Sequence, residues 1–217
     1  LLLGVIAITR PTEILLTLVV LFWRVYNLQS FKSRIKLLIE CKLHLVAAML
    51  SAAMVIGIQL FYWKYASGDW IVYSYKGEGF SWDGRYLKEC FIGFRKGWLI
   101  YTPIMLLGII GLYPMYKQKN TTNISKPITL FLLISTYIIF SWDNYWYGGG
   151  FGQRAMISSY VLFSLPIAAL LQSLSQKSNW LKYFSGVFVL FCIWLNIFQS
   201  FQAQVWGGFE TSKMTKK

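Results

Sequence analysis

The sequence predicts an all-α fold, a polytopic bundle of about six or seven transmembrane helices with aromatic and Gly-rich extracytoplasmic loops. Three observations predict it. Of the 217 residues, 56% are hydrophobic and only 13% charged, with a mean hydropathy of +0.50, against roughly 25% charged residues in soluble domains. Apolar runs recur along the whole chain at about the length a membrane helix needs, roughly 20 residues. Short basic segments separate those runs, as at helix ends held by anionic headgroups.

The opening Leu1-Leu2-Leu3-Gly4 has no initiator Met and no basic region ahead of its apolar run. It is read as the inside of a membrane helix. The expectation is a single transmembrane domain over 1–217, a fragment lacking N-terminal helices and a first outer loop. Leu1 to Thr9 ends one run, and Pro11 sits where a helix starts without needing its missing N–H. Thr12 to about Tyr26 is a short second run. Lys32, Arg34, Lys36 and Lys42 then alternate with Phe31, Ile35, Leu37, Leu38 and Ile39, a basic amphipathic segment suited to the cytoplasmic surface. Leu43 to Trp63 is a clear span with a small-residue face at Ala47, Ala48, Ser51, Ala52, Ala53 and Gly57. Further spans are read at Gly97 to Tyr113, Pro127 to Phe140, Ala155 to Leu174 and Leu181 to Phe201. Placing segments 29–42, 115–126 and 175–182 in the cytoplasm puts the loops 64–96 and 141–154 together on the other face. Basic residues in the 64–96 loop and in the tail at Lys213, Lys216 and Lys217 strain that orientation, unless outside cations serve a purpose.

The net charge of +13 would suggest nucleic acid in a soluble protein. Here much of it lies between apolar runs, and no nucleic-acid partner is expected; membrane lipids are. Cys41, Cys90 and Cys192 lack paired spacing, and His44 merely opens an apolar run, so neither a disulfide framework nor a metal site is indicated. No cofactor is expected, and nothing suggests a nucleotide-sugar site.

Five of the eight acidic residues, Asp69, Glu78, Asp83, Glu89 and Asp143, fall in the two long loops. So do Lys64, Lys76, Arg85, Lys88, Arg95, Lys96 and Arg154, and aromatics that include Trp70, Trp82, Tyr86, Trp142, Tyr145 and Trp146. An aromatic belt with snorkelling cations accounts for part of this. It does not account for Gly77, Gly79, Gly84, Gly148, Gly149, Gly150 and Gly152 in the same loops. Glycines let backbone approach a ligand closely. Together these residue types suit an anionic, sugar-bearing lipid: cations for phosphate, rings for sugar, carboxylates for hydroxyls or a proton.

Three motifs in order carry a family resemblance: T-R-P-T at Thr9 to Thr12, R-K-G-W-L-I-Y-T-P at Arg95 to Pro103, and W-D-N-Y-W-Y-G-G-G-F-G-Q-R at Trp142 to Arg154. They resemble the R-P-T step, the [RK]-G-W-x-x-Y-x-P signature and the W-x-x-W-x-G-G-x-x-[GF]-x-R loop of bacterial polytopic glycosyltransferases of the C superfamily (GT-C). Those enzymes are relatives of protein O-mannosyltransferases (glycosyltransferase family 39-like) and lipid A aminoarabinose transferases. The resemblance implies a multi-pass enzyme of the bacterial inner (plasma) membrane that moves a sugar from a polyprenyl-phosphate donor to a glycan, lipid or protein acceptor outside. Its catalytic base, an aspartate of the first outer loop, would lie upstream of Leu1, so no catalytic residue is assigned. By motif, Arg154 with Gln153, and Lys96 beside Arg95, become candidate contacts for the carrier phosphate. Trp142, Trp146 and Tyr101 become candidate pocket walls. Asp143 is expected either to bind a sugar hydroxyl or to pair with Arg154, with the pair slightly ahead. A transporter or flippase for a lipid-linked sugar is the competing reading, and a non-catalytic membrane subunit a third. Against transport, the spans carry almost no ionisable residues at mid-depth.

Overall fold

The structure, a computed structural model, describes residues 1–73, 75, 77–118, 122–148 and 152–205. Lys76, Lys119, Gly149, Gly150 and the tail from Trp206 to Lys217 lie outside the described residues. The described chain is all-helical, and its one β feature is an isolated antiparallel bridge between Phe80 and Trp142.

Four helices are long and apolar enough to cross a membrane: Lys42–Ser67, Asn123–Phe140, Arg154–Lys177 and Asn179–Val205. These coincide with four of the expected spans. Two others are shorter than expected, Pro11–Leu21 and Ile104–Lys117. The 12–26 run begins as a 3-10 turn, Pro11–Leu15, continues as six helical residues, and ends before Arg24, which holds a left-handed φ of 61°. The 97–113 run is split where Thr102 precedes Pro103. A residue before proline is pushed out of the helical region, and Thr102 has φ −135° and ψ 65°.

Contacts divide the chain into two compact units: Leu1–Glu78 with Lys126–Phe131, and Gly79–Ser125 with the chain from Leu132 onward. In the first, α1 (Leu2–Thr9) packs on α4 (Lys42–Ser67), Gly4 lying so close to Ala52 and Val55 that an added Cβ would sit 3.1 Å from the Ala52 Cα. Ala52 belongs to the small-residue face read from the sequence. After the 3-10 turn and α2 (Leu16–Leu21) comes the basic α3 (Leu28–Glu40). Its start is set by a capping box: Asn27 Oδ1 accepts from the Ser30 amide at 2.7 Å, and Ser30 Oγ accepts from the Asn27 amide at 3.0 Å. Almost wholly apolar, α4 has nothing buried along its central window. Such a surface is stable against lipid and costly against water.

The second unit holds α5 (Leu87–Ile92), α6 (Trp98–Tyr101), α7 (Ile104–Lys117), most of α8 (Thr122–Phe140), α9 (Tyr160–Lys177) and α10 (Asn179–Val205). The closest helix pair is α7 against α9. It is close because α7 presents Gly108 to Phe163 and Gly111 to the Pro166 carbonyl, where a Cβ would overlap the oxygen. Trp98, Phe140 and Phe163 form the aromatic core above this contact, with Trp98 ring centroids 6.2 Å from Phe140 and 5.3 Å from Phe163.

Candidate functional site

The loops 79–97 and 141–154, both in the second unit, are joined by backbone. The Ser81 amide donates to the Ser141 carbonyl at 2.7 Å and the Asp143 amide to the Gly79 carbonyl at 3.0 Å. Asp143 completes the junction: its carboxylate accepts from the Gly79 amide at 3.1 Å and from the Ser81 hydroxyl. The expected pairing of Asp143 with Arg154 is therefore corrected, and among the described residues no ion pair joins them. Two short-range donors on a neighbouring loop outcompete an exposed guanidinium whose charge is screened by solvent. Trp142 stands beside this junction, its ring edge-on to Phe80 at 4.8 Å, and Phe80 stacks in turn on Trp82 at 5.0 Å.

Removing the carboxylate would leave the Gly79 and Ser81 donors unpaired, at a cost of about 1–3 kcal/mol. Asp143→Ala is thus expected to open the junction locally, read as faster hydrogen exchange at the Ser81 amide. Unchanged exchange there would contradict the role.

Further along, ring contacts hold the loops together. Tyr86 stacks on Tyr145 at 4.9 Å, and the Arg95 guanidinium lies over the Trp146 ring at 4.1 Å from its centroid. That contact fixes Arg95 on one face of the indole. Gln153 is buried and donates through Nε2 to the Tyr145 carbonyl at 3.1 Å. Its Oε1 is buried without a protein partner among the described residues. Tyr101 donates to the Phe94 carbonyl at 2.6 Å, anchoring the turn that carries Arg95 and Lys96. Left-handed φ values at Tyr147, Gly148 and Gly152, 50°, 70° and 60°, turn the second loop back on itself. At Gly152 a Cβ would sit 3.1 Å from the Tyr101 Cβ, so the absence of a side chain lets loop and α6 touch.

Lys96 is the deepest of the candidate residues, with no exposed surface. Its place follows from the turn: the Gly97 amide donates to the Gly93 carbonyl at 2.6 Å, while Trp98, next but one in the chain, is pinned by the aromatic core and by its Nε1 donating to the Tyr160 hydroxyl at 3.2 Å. Burial first, then the charges of Arg154 and Arg95, pulls the Lys96 ammonium down to about 8. Arg95 and Arg154 are thus within electrostatic reach of Lys96. Arg154 itself is exposed, at the start of the 3-10 turn Arg154–Ser159 leading into α9. Burial also pushes the Cys90 thiol up to about 12, despite a hydrogen bond from Gln153, so it is neutral and inert near pH 7. At the loop's outer edge Arg85 pairs with Asp83 at 2.8 Å and holds that carboxyl below its usual range.

All eight candidate residues read from the sequence lie in this unit: Trp142, Asp143, Trp146 and Arg95 make contacts between the two loops, Lys96, Gln153 and Arg154 belong to the loops, and Tyr101 to α6. Sequence reasoning missed three supports: Gly79 with Ser81, the Tyr86–Tyr145 stack as a pair, and Tyr160. The first two carry a weak signal, glycine and aromatic enrichment; Tyr160 carries none, because it starts an apolar run. Among the described residues no three His, Cys, Asp or Glu side chains gather as a metal site.

Comparison of the chain with protein-family models, with curated proteins and with solved structures finds no match. Four apolar helices of spanning length and an all-α fold are what is established.

Proposed function

We propose that this chain belongs to a polytopic membrane glycosyltransferase of the bacterial plasma membrane, moving a sugar from a polyprenyl-phosphate carrier to an acceptor on the extracytoplasmic face. The observation that carries the reading is Arg95 laid over the Trp146 ring where two aromatic loops pack together, with Lys96 and Arg154 within electrostatic reach. In transfer, the anomeric C–O bond to the carrier phosphate breaks as the acceptor hydroxyl oxygen bonds to the anomeric carbon, its proton passing to a carboxylate base. Negative charge grows on the leaving phosphate, and fixed cations stabilise it there more than in the intact donor. Lys96 and Arg95 are held by burial and by the Trp146 ring, so little reorganisation is needed. Arg154, being exposed, is suited to capture the phosphate as the lipid enters. Trp142, Trp146 and Tyr145 offer ring faces and edges to a sugar, while Asp143 keeps the loops joined.

A resemblance of three ordered motifs supports the same assignment, as does the distribution of charge. No acidic or basic residue occurs between Ala155 and Gln176, and only Lys182 interrupts the last long helix, whereas transporters place ionisable groups at mid-membrane depth.

Transfer from a radiolabelled polyprenyl-phosphate sugar, by the full-length protein in proteoliposomes, tests the reading. Arg154→Ala is expected to slow transfer about ten- to a hundredfold, the value of one charged hydrogen bond, and Arg154→Lys to recover part of it. Wild-type rates in both variants would overturn the phosphate role.

A further inference from the structure

At the corner between α2 and α3, wholly within the first unit, a recess of about 540 Å³ is lined by Trp23, Arg24, Tyr26, Gln29, Ser33 and Arg34, with three neighbours. No carboxylate is among its lining residues. Of the acids in this unit, Glu13 pairs with Arg10 at 3.7 Å and Glu40 with Lys36 at 3.8 Å. Arg34 is held in place by Nη2 donating to the Val20 carbonyl at 2.9 Å, and among the described residues its buried Nε has no hydrogen-bond partner. Arg24 occupies the corner in the left-handed region, at φ 61°, a conformation an arginine adopts at a cost. Such a residue in place of glycine points to use of its side chain.

We infer that this recess binds the phosphodiester headgroup of an anionic phospholipid. Two guanidiniums, one oriented in advance, suit phosphate oxygens. Trp23 and Tyr26 are the amphipathic rings that settle at headgroup level. Gln29 and Ser33 add neutral groups able to hydrogen-bond a polyol headgroup. The choice of lipid over free phosphate rests on exposed apolar side chains beside the recess, where acyl chains would lie: Val20 and Leu21 precede it in the chain, and Leu28 falls between two of its lining residues. This inference is independent of sugar transfer.

The test is native mass spectrometry of the full chain in detergent micelles, titrated with phosphatidylglycerol or phosphatidylcholine. The wild type is expected to bind one phosphatidylglycerol at least about tenfold more tightly than phosphatidylcholine. Arg24→Gly with Arg34→Gln removes that preference. Arg24→Gly alone places at the corner the residue that φ favours, so the turn is preserved, and it lowers affinity about threefold or more. Lys32→Gln with Lys36→Gln removes the same charge from α3 outside the recess and leaves affinity within about twofold. Equal loss from the lysine pair would replace the recess by a diffuse basic surface. Equal affinity for phosphatidylcholine, or displacement of phosphatidylglycerol by inorganic phosphate at the lipid's concentration, would also overturn the assignment.

Discussion

In the proposed sugar transfer, Lys96→Met is expected to slow turnover by about tenfold to a hundredfold, through loss of a fixed charge near the developing phosphate anion. Methionine fills nearly the same buried length, so packing is largely retained, and the charge alone is removed. Lys96 has no exposed surface, so its charge acts through the turn as a fixed field that water screens little. A pH series separates this role from a structural one. The ammonium titrates at about 8 before donor binds, lowered by burial and by the Arg154 and Arg95 charges. Donor affinity in the wild type should therefore be flat below pH 8 and fall as pH rises beyond it. Folding stability should move the other way. Folding favours the neutral amine, so the penalty is full below about 8 and fades as pH climbs towards the ordinary lysine value of 10.5. Affinity measured by equilibrium binding and stability measured by denaturant titration would then diverge between pH 8 and 10. A wild-type affinity that does not change across that window, or that Lys96→Met leaves unchanged, would remove Lys96 from phosphate binding.

Gly111→Leu is expected to cost about 3 kcal/mol or more of stability, at the upper end of overpacking effects. At this position even a Cβ overlaps the Pro166 carbonyl, a rigid backbone group inside α9. Relief requires α7 to move off α9, which also lifts Gly108 from Phe163. Gly186→Ala is the matched control: its Cβ would meet open space, and it should be neutral or slightly stabilising through helix propensity. Unfolding in mixed micelles, followed by circular dichroism, reads both. Equal midpoints for Gly111→Leu and wild type would mean that the two helices are not in contact.

The long helices were legible because few water-soluble folds sustain an apolar run near 20 residues. Leu43 to Trp63 and Leu181 to Phe201 both emerge inside longer helices, Lys42–Ser67 and Asn179–Val205. Hydropathy alone did not separate Gly97 to Tyr113 into α6 and α7. The information was present in Pro103, whose steric effect on Thr102 is local, yet apolar content masked it. The candidate loops were legible for a different reason, since glycine, tryptophan and arginine rarely crowd together in a merely solvated turn. Their internal bonding was not. Asp143 looks outward from the sequence to Arg154, eleven positions on, while its partners Gly79 and Ser81 are more than sixty away. Likewise Arg95 and Lys96 read as an equivalent basic pair. Folding separates them, one laid on Trp146 and the other sealed beneath the turn. Adjacent identical charges differ only through tertiary surroundings, which a single sequence does not display.

The brevity of α7 has a consequence for the lipid around it. Fourteen residues rise about 21 Å, some 9 Å less than a typical hydrocarbon core. Its neighbour α9 with the preceding 3-10 turn is far longer, so the deficit is one-sided. Were α7 to cross a bilayer beside α9, acyl chains along it would have to shorten or tilt, or the polar turn above it would sink below the headgroup plane. Either adjustment would draw the membrane surface down towards Lys96 and make a dimple in the leaflet, where, in the proposed enzyme, a long isoprenoid tail would lie with its phosphate near the cations and its chain still in oil.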